Sequence, residues 1–340
     1  MKRRIKTWVV VLFAILDLMA VSCLVLAYGP NKKFKTFLVT TAMSTMNHKY
    51  LARTLYSENT INEVLKENTI EELDETTDTS AITIGNYETK NYESKYEEQI
   101  LKKDKNNDLY KIIKFKEDGC TYYITVVYEP SRINLALSSN QGIVGETVKN
   151  IAKNNNAKIA VNASGFEDSG GNGNGSRATG TVIKNGKIVW IGNPNRWGGG
   201  LIGFNKEHKL VLTKENANTA IKKGMMDAVT FGPFLIVNGK EAKVLGNGGS
   251  GVHPRTIIAQ RQDGIVLLIV IDGTGSKTGY RGGAGYAKMI EVLKRYRAYN
   301  AANLDGGASS ILIENNQIVN NPVGYSSTGE RSHPNAWIVK

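Results

Sequence analysis

From about residue 105 onward, the chain consists of short segments rich in β-branched and aromatic residues, separated by turns that contain glycine. Three of these turns carry hairpin signals, Asn185-Gly186, Asn238-Gly239 and Gln262-Asp263-Gly264. The Asn-Gly dipeptide favours a type I′ turn, which joins two paired antiparallel strands. Because such turns require consecutive strands to lie side by side, this pattern constrains the fold more than any other feature. It predicts sheets that are mostly antiparallel.

Helices are fewer in this region. The clearest is predicted over Ala284–Tyr299, where apolar residues recur at helical spacing, and a shorter one over Gly145–Asn154. Between and around them, the strongest strand predictions are Tyr110–Phe115, Thr121–Tyr128, Ile133–Leu137, Lys158–Asn162, Thr256–Gln260, Ile265–Ile271, Ser310–Ile313 and Ala336–Val339. The predicted fold class is therefore α+β, a mostly antiparallel β-sheet core with a few packed helices.

The N-terminus predicts a membrane anchor ahead of this fold. An apolar segment runs from Trp8 to Tyr28, and four basic residues precede it: Lys2, Arg3, Arg4 and Lys6. A helix of this length would cross the hydrocarbon core of about 30 Å. The basic flank is expected to stay in the cytoplasm, which places everything after residue 30 outside the cell membrane.

Two other interpretations of the apolar segment stay open. Val25-Leu26-Ala27 fits a signal-peptidase site loosely, so the segment could be a removable signal peptide. A lipoprotein site at Cys23 is disfavoured, because apolar residues continue beyond it. The segment is long for a signal peptide, so an uncleaved transmembrane helix is favoured.

Charge and composition divide the chain into three parts: 1–30 as a cytoplasmic basic stub and transmembrane anchor, 31–104 as an extracellular stalk or linker, and 105–340 as the main domain. Residues 57–104 carry five Lys against thirteen acids, whereas residues 105–340 carry 29 bases against 17 acids. A polar acidic segment with little apolar periodicity is typical of a solvated spacer. A basic domain suits an anionic partner.

Cysteine usage argues against a stapled or metal-dependent fold. The two cysteines, Cys23 and Cys120, lie in different regions, and no His/Cys pattern fits zinc. No metal site and no cofactor are therefore expected, although carboxylates could bind Ca²⁺ opportunistically.

Several apolar strands run directly into polar residues and glycines. Small residues at a strand end leave room for a ligand to approach the backbone, and the sheet holds the polar side chains in place. These junctions are Val161 into Asn162-Ala163-Ser164-Gly165-Phe166, Ile271 into Asp272-Gly273, and Ala302 into Asn303-Leu304-Asp305-Gly306-Gly307-Ala308-Ser309-Ser310.

Together with three further motifs, these junctions resemble the phosphodiester glycosidase family over about residues 120–340. The further motifs are Phe231-Gly232-Pro233, His253-Pro254-Arg255-Thr256 and Glu330-Arg331. The chain departs from the family pattern at Ala308, where a third glycine is usual, and at Glu167, where Phe is usual. Ser332 and His333 also separate Glu330-Arg331 from the following proline, and the expected early Glu in the helix before Asp305 is missing.

The resemblance implies hydrolysis of a sugar–phosphate diester at the anomeric carbon, in a cell-surface or exopolysaccharide-type glycan. Arg255 is the first candidate for holding the phosphate, because a guanidinium fork matches two phosphate oxygens; Thr256 lies beside it, and Arg331 is the second candidate. The amides of Gly306 and Gly307 could form an anion nest, or equally a plain tight turn. Ser309 and Ser310 would lie beside that nest.

Asp305 is the first choice for the catalytic carboxylate, Asp272 the second and Glu330 the third. His253 is a candidate proton carrier, with a pKa expected near neutrality. Asn162 is expected to bond sugar hydroxyls or to position water. His208 and His333 are interpreted as incidental.

The alternative function is a non-catalytic glycan-binding or scaffold protein on the same fold. Retention of Asp305, Asp272, Arg255 and Glu330 favours the enzyme. Nucleic acid is not an expected partner, because basic and aromatic residues are not interleaved and the domain is predicted to lie outside the cell. The expected partners are an anionic glycan or sugar phosphodiester and, through the N-terminal helix, the membrane.

Overall fold

The computed structural model describes residues 7–44, 48–85, 91–105, 107–168, 173–193, 198–273, 282–324 and 326–340. The basic residues Lys2, Arg3, Arg4 and Lys6, predicted to flank the membrane span, lie outside these ranges.

A central antiparallel sheet organises the domain. Some of its neighbouring strands are consecutive and joined by hairpins, and others are distant in the sequence and are brought together by pairing. In spatial order its seven described strands are Lys240–Glu241, Phe234–Val237, Ala298–Asn303, Arg255–Arg261, Val266–Ile271, Cys120–Val127 and Tyr110–Glu117.

Two five-stranded antiparallel sheets cover one face of the central sheet. We call one the C-terminal sheet, with the strand order Gln317–Ile318, Leu312–Glu314, Ile159–Asn162, Asn335–Val339 and Ile133–Leu137. We call the other the lateral sheet, with the strand order Leu210–Thr213, Gly200–Asn205, Met225–Phe231, Thr181–Lys184 and Lys187–Ile191. Two short pairings complete the strands, Ile70–Glu71 with Lys243–Val244 and Glu146–Thr147 with Ser332–His333.

The described α-helices are Thr7–Tyr28, Lys32–Ser44, Lys49–Leu55, Glu58–Glu67, Lys95–Leu101, Val148–Asn154, Ala217–Lys222 and Tyr286–Arg295. The amphipathic helix Tyr286–Arg295 packs on the face of the central sheet opposite the other two sheets. Alternate residues of the strand Arg255–Arg261 therefore enter two different apolar cores, with Ile258 on one side and Ile257 on the other. These observations confirm the predicted α+β class.

The predicted C-terminal boundary of the longest helix in the domain differs from the structure. The helix predicted over Ala284–Tyr299 ends at Arg295, and Ala298 already begins a strand. Arg297 has a φ of 60°, a left-handed conformation that stops the helix. Pairing of the next residues within the central sheet outweighs their local helical pattern.

Antiparallel pairing brings four chain segments to one end of the central sheet, which we call the site edge. The strands beginning at Phe234 and Arg255 start here, and those ending at Asn303 and Ile271 finish here. Because the sequence places Asp305 and Asp272 just after two of these strands, both acids lie at this edge beside Arg255.

The N-terminal region begins with Thr7–Tyr28, a helix long and apolar enough to cross a membrane, as a signal sequence would also be. The next three helices share a small apolar core that includes Val39, Ala52 and Ile61. After them, residues 68–83, which we call the N-terminal strap, run along the domain. Thr69 O accepts Leu245 N at 2.8 Å, and Leu212 O accepts Thr77 N at 3.1 Å. The division at residue 104 stays a prediction, but the strap is bonded to the domain that follows it.

Candidate active site

Asp305 occupies the centre of the site edge. Its amide donates to Ala163 O at 3.2 Å, which ties the loop after the central strand to the C-terminal sheet. Its carboxylate accepts hydrogen bonds from the Ser309 hydroxyl and the Gly306 amide. Although part of the residue remains accessible to solvent, burial raises the pKa of Asp305 to about 6, against the opposing effect of those hydrogen bonds.

Asn162 fixes the backbone of Asp305. Its Nδ2 donates to Asp305 O at 2.6 Å, while its Oδ1 accepts from Thr256 Oγ1 at 2.8 Å and from Ile311 N at 3.2 Å. Asn162 and Thr256 are both completely buried. These bonds give the two residues a positioning role. Their direct contact with a substrate stays a prediction.

Arg331 is the cation beside Asp305. Its charge lowers the pKa of Asp305 in opposition to burial, and its guanidinium lies 4.7 Å from the centre of the Phe166 ring. Asp168 accepts a hydrogen bond from Arg331 Nη2 and another from Gly173 N at 2.7 Å. Sequence reasoning missed Asp168. Its position six residues after Asn162, within the same strand-end motif, was the available signal.

Arg255 lies at the same edge but is committed to holding the backbone around it. The side chain is buried, and its Nε donates to Ala284 O at 2.9 Å. Its Nη2 donates to Ser250 Oγ at 2.8 Å and to Gly251 O at 3.1 Å. The guanidinium also lies 4.9 Å from the centre of the Tyr286 ring. Phosphate binding by Arg255 stays a prediction, and the observed bonds favour Arg331 as the accessible cation.

The Gly306–Ser310 segment forms a tight 3₁₀ turn. Gly307, with a φ of +61°, donates its amide to Pro254 O at 2.8 Å. The amides of Ser309 and Ser310 donate to Gly306 O and Gly307 O at 3.1 and 3.3 Å. A Cβ on Gly306 would lie 2.8 Å from Pro254 O, so glycine is required for this close approach. Anion binding by the turn stays a prediction, and these bonds correspond to the tight-turn alternative.

Asp272 lies two strands away from Asp305 and is bonded differently. Its Oδ1 accepts Asn320 Nδ2 at 2.8 Å and its Oδ2 accepts Asn321 N at 2.9 Å, and the Tyr123 hydroxyl bonds to it as well. Burial raises the pKa of Asp272. Tyr123 belongs to the central sheet, whereas Asn320 and Asn321 follow the hairpin of the C-terminal sheet. The Asp272 carboxylate therefore joins these two parts of the fold.

The other two predicted catalytic residues lie at the margin of the site. Glu330 Oε2 accepts Thr328 Oγ1 at 3.1 Å within the loop that carries Arg331. His253 Nε2 lies 3.2 Å from Ser44 Oγ of the N-terminal helices. Burial and the nearby charge of Arg255 lower the pKa of His253 to about 3, so the ring is neutral at pH 7. This differs from the near-neutral pKa expected of a proton carrier.

His333 was interpreted as incidental, yet it lies beside the site. It is 1% exposed, packs edge-on against Phe166 at 5.6 Å, and neither ring nitrogen has a hydrogen-bond partner among the described residues. Burial and the charge of Arg331 lower its pKa to about 3. Its sequence signal was the interruption between Glu330-Arg331 and the following proline.

The described residues contain no group of three or more His, Cys, Asp or Glu side chains that could hold a metal ion. The groups at the site edge are the carboxyl of Asp305, whose pKa is raised, the neighbouring guanidinium of Arg331, and the buried amide of Asn162 that bonds to the backbone of Asp305.

The chain belongs to the phosphodiester glycosidase family, whose model matches residues 155–340. This confirms the resemblance seen in the motifs. The family indicates phosphodiester glycosidase-type function.

Two relatives illustrate how distant the similarity is. The SPbeta prophage-derived uncharacterized protein YomE of Bacillus subtilis (strain 168) is 26% identical over 253 residues, which cover 66% of this chain. The chain spans 38% of the length of that relative. The catalytic domain of zebrafish N-acetylglucosamine-1-phosphodiester alpha-N-acetylglucosaminidase, solved in a form auto-inhibited by its pro-peptide, is 18% identical with a TM-score of 0.54. The match covers 69% of this chain and 85% of that one, and shows a shared fold.

Proposed function

We propose that this protein hydrolyses the bond between the anomeric carbon of a sugar and the oxygen of a phosphodiester. The observation that carries the proposal is the placement of Asp305, a carboxyl with a pKa raised to about 6, beside the guanidinium of Arg331. A carboxylate poised near neutral pH suits a general base, and an adjacent cation suits the charge of a phosphodiester. Membership of the family supports the same reaction.

In the proposed reaction, Asp305 accepts a proton from a water molecule whose oxygen attacks the anomeric carbon. The bond from that carbon to the phosphate oxygen breaks, and its electron pair leaves with the phosphate. Arg331 balances the charge of the departing phosphate, and Asp168 holds the guanidinium in position. A phosphate monoester is a good leaving group, so the reaction does not depend on a strong general acid.

We propose a cell-surface or exopolysaccharide-type glycan as the substrate, with the enzyme held in the cell membrane by Thr7–Tyr28. The apolar helix and the basic balance of residues 105–340 support this assignment. A basic domain close to a membrane would attract anionic polymers that carry phosphodiesters.

The test uses the full chain in detergent micelles, incubated with UDP-GlcNAc and with a synthetic GlcNAc-1-phosphodiester, and measures free sugar. Hydrolysis that disappears in Asp305→Asn is expected. Asp108→Asn is the matched control, since Asp108 is exposed and lies just before Tyr110, whose strand end pairs with Val127 at the end of the central sheet opposite the site edge. Saturable sugar or glycan binding by wild type without any release of sugar would instead support the non-catalytic alternative.

A further inference from the structure

The N-terminal strap delivers a carboxylate, that of Glu72, to the site edge. Glu72 Oε1 and Oε2 accept the amide of Gly199 at 2.8 and 2.9 Å, and Oε2 also accepts the amide of Phe234 at 3.2 Å. Gly198 has a φ of +80°, and a Cβ there would lie 2.1 Å from Glu72 Oε1. The backbone is thus shaped closely around this carboxylate.

The hydrogen bonds locate Glu72 relative to Asp305. Phe234 begins the strand beside the one that ends at Asn303, two residues before Asp305. Gly232 is in close contact with Gly199, since a Cβ on Gly232 would lie 2.6 Å from Gly199 Cα, and Gly232 O accepts Asn303 Nδ2 at 2.9 Å. Glu72 is therefore attached to the same edge as Asp305, because its two hydrogen-bond partners, the amides of Gly199 and Phe234, both lie there.

Glu72 and Arg331 are linked at this edge by a series of close contacts. Arg331 lies over Phe166, and the neighbouring Gly165 is so close to Phe231 that an added Cβ would meet its ring at 2.6 Å. Phe231 precedes Gly232, Gly232 contacts Gly199, and the amide of Gly199 donates to Glu72. This series of contacts runs from the guanidinium to the carboxylate, and Asp305 N donates to the carbonyl of Ala163, two residues before Gly165.

A role as a simple anchor explains Glu72 incompletely. The strap is already fixed by its strand pairing with Lys243–Val244, by the 3.0 Å ion pair of Glu71 with Lys243, and by the bonds of Thr77. Glu72 accepts hydrogen bonds from the backbone amides of Gly199 and Phe234, and burial raises its pKa against the opposing effects of those bonds and of the Lys214 charge. A partly buried carboxylate held in this way is costly for the fold and is typical of a functional site.

We propose that Glu72 is a second carboxylate of the active site, which faces the sugar and stabilises the positive charge that develops at its anomeric carbon. This inference rests on the proposed function and fixes the orientation of the substrate, with the phosphate towards Arg331 and the sugar ring towards Glu72. Glycoside hydrolysis passes through a cationic transition state that a flanking carboxylate stabilises. Glu72 lies outside the family-matched residues 155–340, so this group comes from the chain's own N-terminal segment.

The kinetic test compares Glu72→Gln with Glu71→Gln in the full chain. The amide of Gln retains an oxygen for the Gly199 and Phe234 amides but removes the charge. We expect kcat to fall about 100-fold in Glu72→Gln with KM changed less than about threefold, because the interaction strengthens only in the transition state. Glu71→Gln, an exposed neighbour in the same strap, should keep wild-type turnover. Unchanged kcat in Glu72→Gln, or a parallel loss in both variants, contradicts the proposal.

A binding test is independent of turnover. Isothermal titration measures the affinity of the protonated iminosugars 1-deoxynojirimycin and its 2-acetamido derivative, whose ring cation imitates the transition state, alongside inorganic phosphate. Glu72→Gln should bind the tighter iminosugar at least tenfold more weakly than wild type and Glu71→Gln do, and should bind phosphate unchanged. The proposal is overturned if neither iminosugar binds wild type, if the loss is absent, or if phosphate binds more tightly to Glu72→Gln, since Glu72 would then occupy the phosphate position. Iminosugar binding that depends on Glu72 without hydrolysis by wild type would contradict only the proposed reaction.

Discussion

Asp305 and Asp272 each lie just after an apolar strand of the central sheet and just before a glycine. Both lie at the site edge, yet their surroundings differ. Asp272 accepts hydrogen bonds from Asn320, Asn321 and Tyr123, which come from other elements. Asp305 accepts its hydrogen bonds from its own loop, through Ser309 and Gly306, and has a guanidinium nearby.

The difference shows how one local motif can serve two purposes. Burial raises the pKa of both carboxyls. At Asp272, however, donors from distant segments satisfy the oxygens, so the group joins parts of the fold. At Asp305 the cation is arranged beside the carboxylate and the backbone is held from beneath by Asn162. The comparison assigns chemistry to Asp305 and structure to Asp272.

The largest expected effect concerns turnover. Asp305→Asn should raise the activation barrier by about 3–5 kcal/mol, which lowers kcat by roughly 10²–10⁴-fold, because the base that accepts the proton is lost. Asp272→Asn should keep kcat within a few-fold of wild type for the fraction that is folded. Steady-state kinetics normalised to folded protein measures both values of kcat. Equal losses in the two variants would contradict the assignment of chemistry to Asp305 and structure to Asp272.

The next effect is on stability and singles out Asp272. An amide at position 272 would present N–H groups to Asn320 and Asn321, which are themselves donors, so at least one buried bond is lost. The free energy of unfolding should fall by about 1–3 kcal/mol. Urea denaturation followed by intrinsic fluorescence measures this. A variant as stable as wild type would mean that Asp272 does not join these segments.

Asp305→Asn should have the opposite effect on stability. The pKa of Asp305 is about 6 in the folded chain and below 4 in the unfolded chain, so the folded state holds more protons between those values. The contribution of this carboxyl is therefore most favourable at low pH and is lost as the pH rises through 6. At pH 7.5 the variant should be more stable than wild type by on the order of 1–3 kcal/mol, and the gain should vanish near pH 4. A gain of equal size at both pH values would exclude this cause.

The sequence predicted the architecture well because hairpin turns and alternating apolar residues act locally. Turn signals at Asn185, Asn238 and Asp263 each lie between strands that do pair. The convergence of Asp305, Asp272 and Arg255 at one edge is seen only in the structure, because it depends on which strands pair. The resemblance in these motifs identified the family.

The division of roles within the site could not be read from the sequence, because it depends on hydrogen bonds between distant segments. The sequence ranked Arg255 above Arg331 as the phosphate holder, but Arg255 donates to Ser250, Gly251 and Ala284, whereas Arg331 pairs with Asp168 beside Asp305. Glu72 lies in an acidic segment whose composition predicts a spacer. The pairing of the strap with Lys243–Val244 and the hydrogen bonds of Glu72 to Gly199 and Phe234 bring it to the site edge.

The smallest expected effect sharpens the account of Asp305 itself. The Ser309 hydroxyl donates to its carboxylate and lowers the pKa of Asp305 against the effect of burial, whereas the neighbouring Ser310 Oγ is buried without a partner among the described residues. Ser309→Ala should therefore move the acidic limb of the kcat profile from about pH 6 to higher pH, by less than about one unit, since one hydrogen bond contributes about 1 kcal/mol. Ser310→Ala removes a hydroxyl of the same size from the same turn and should leave the limb in place. Equal shifts in both variants would mean that a change in the turn causes the effect. The acidic limb would then not report the ionisation of Asp305.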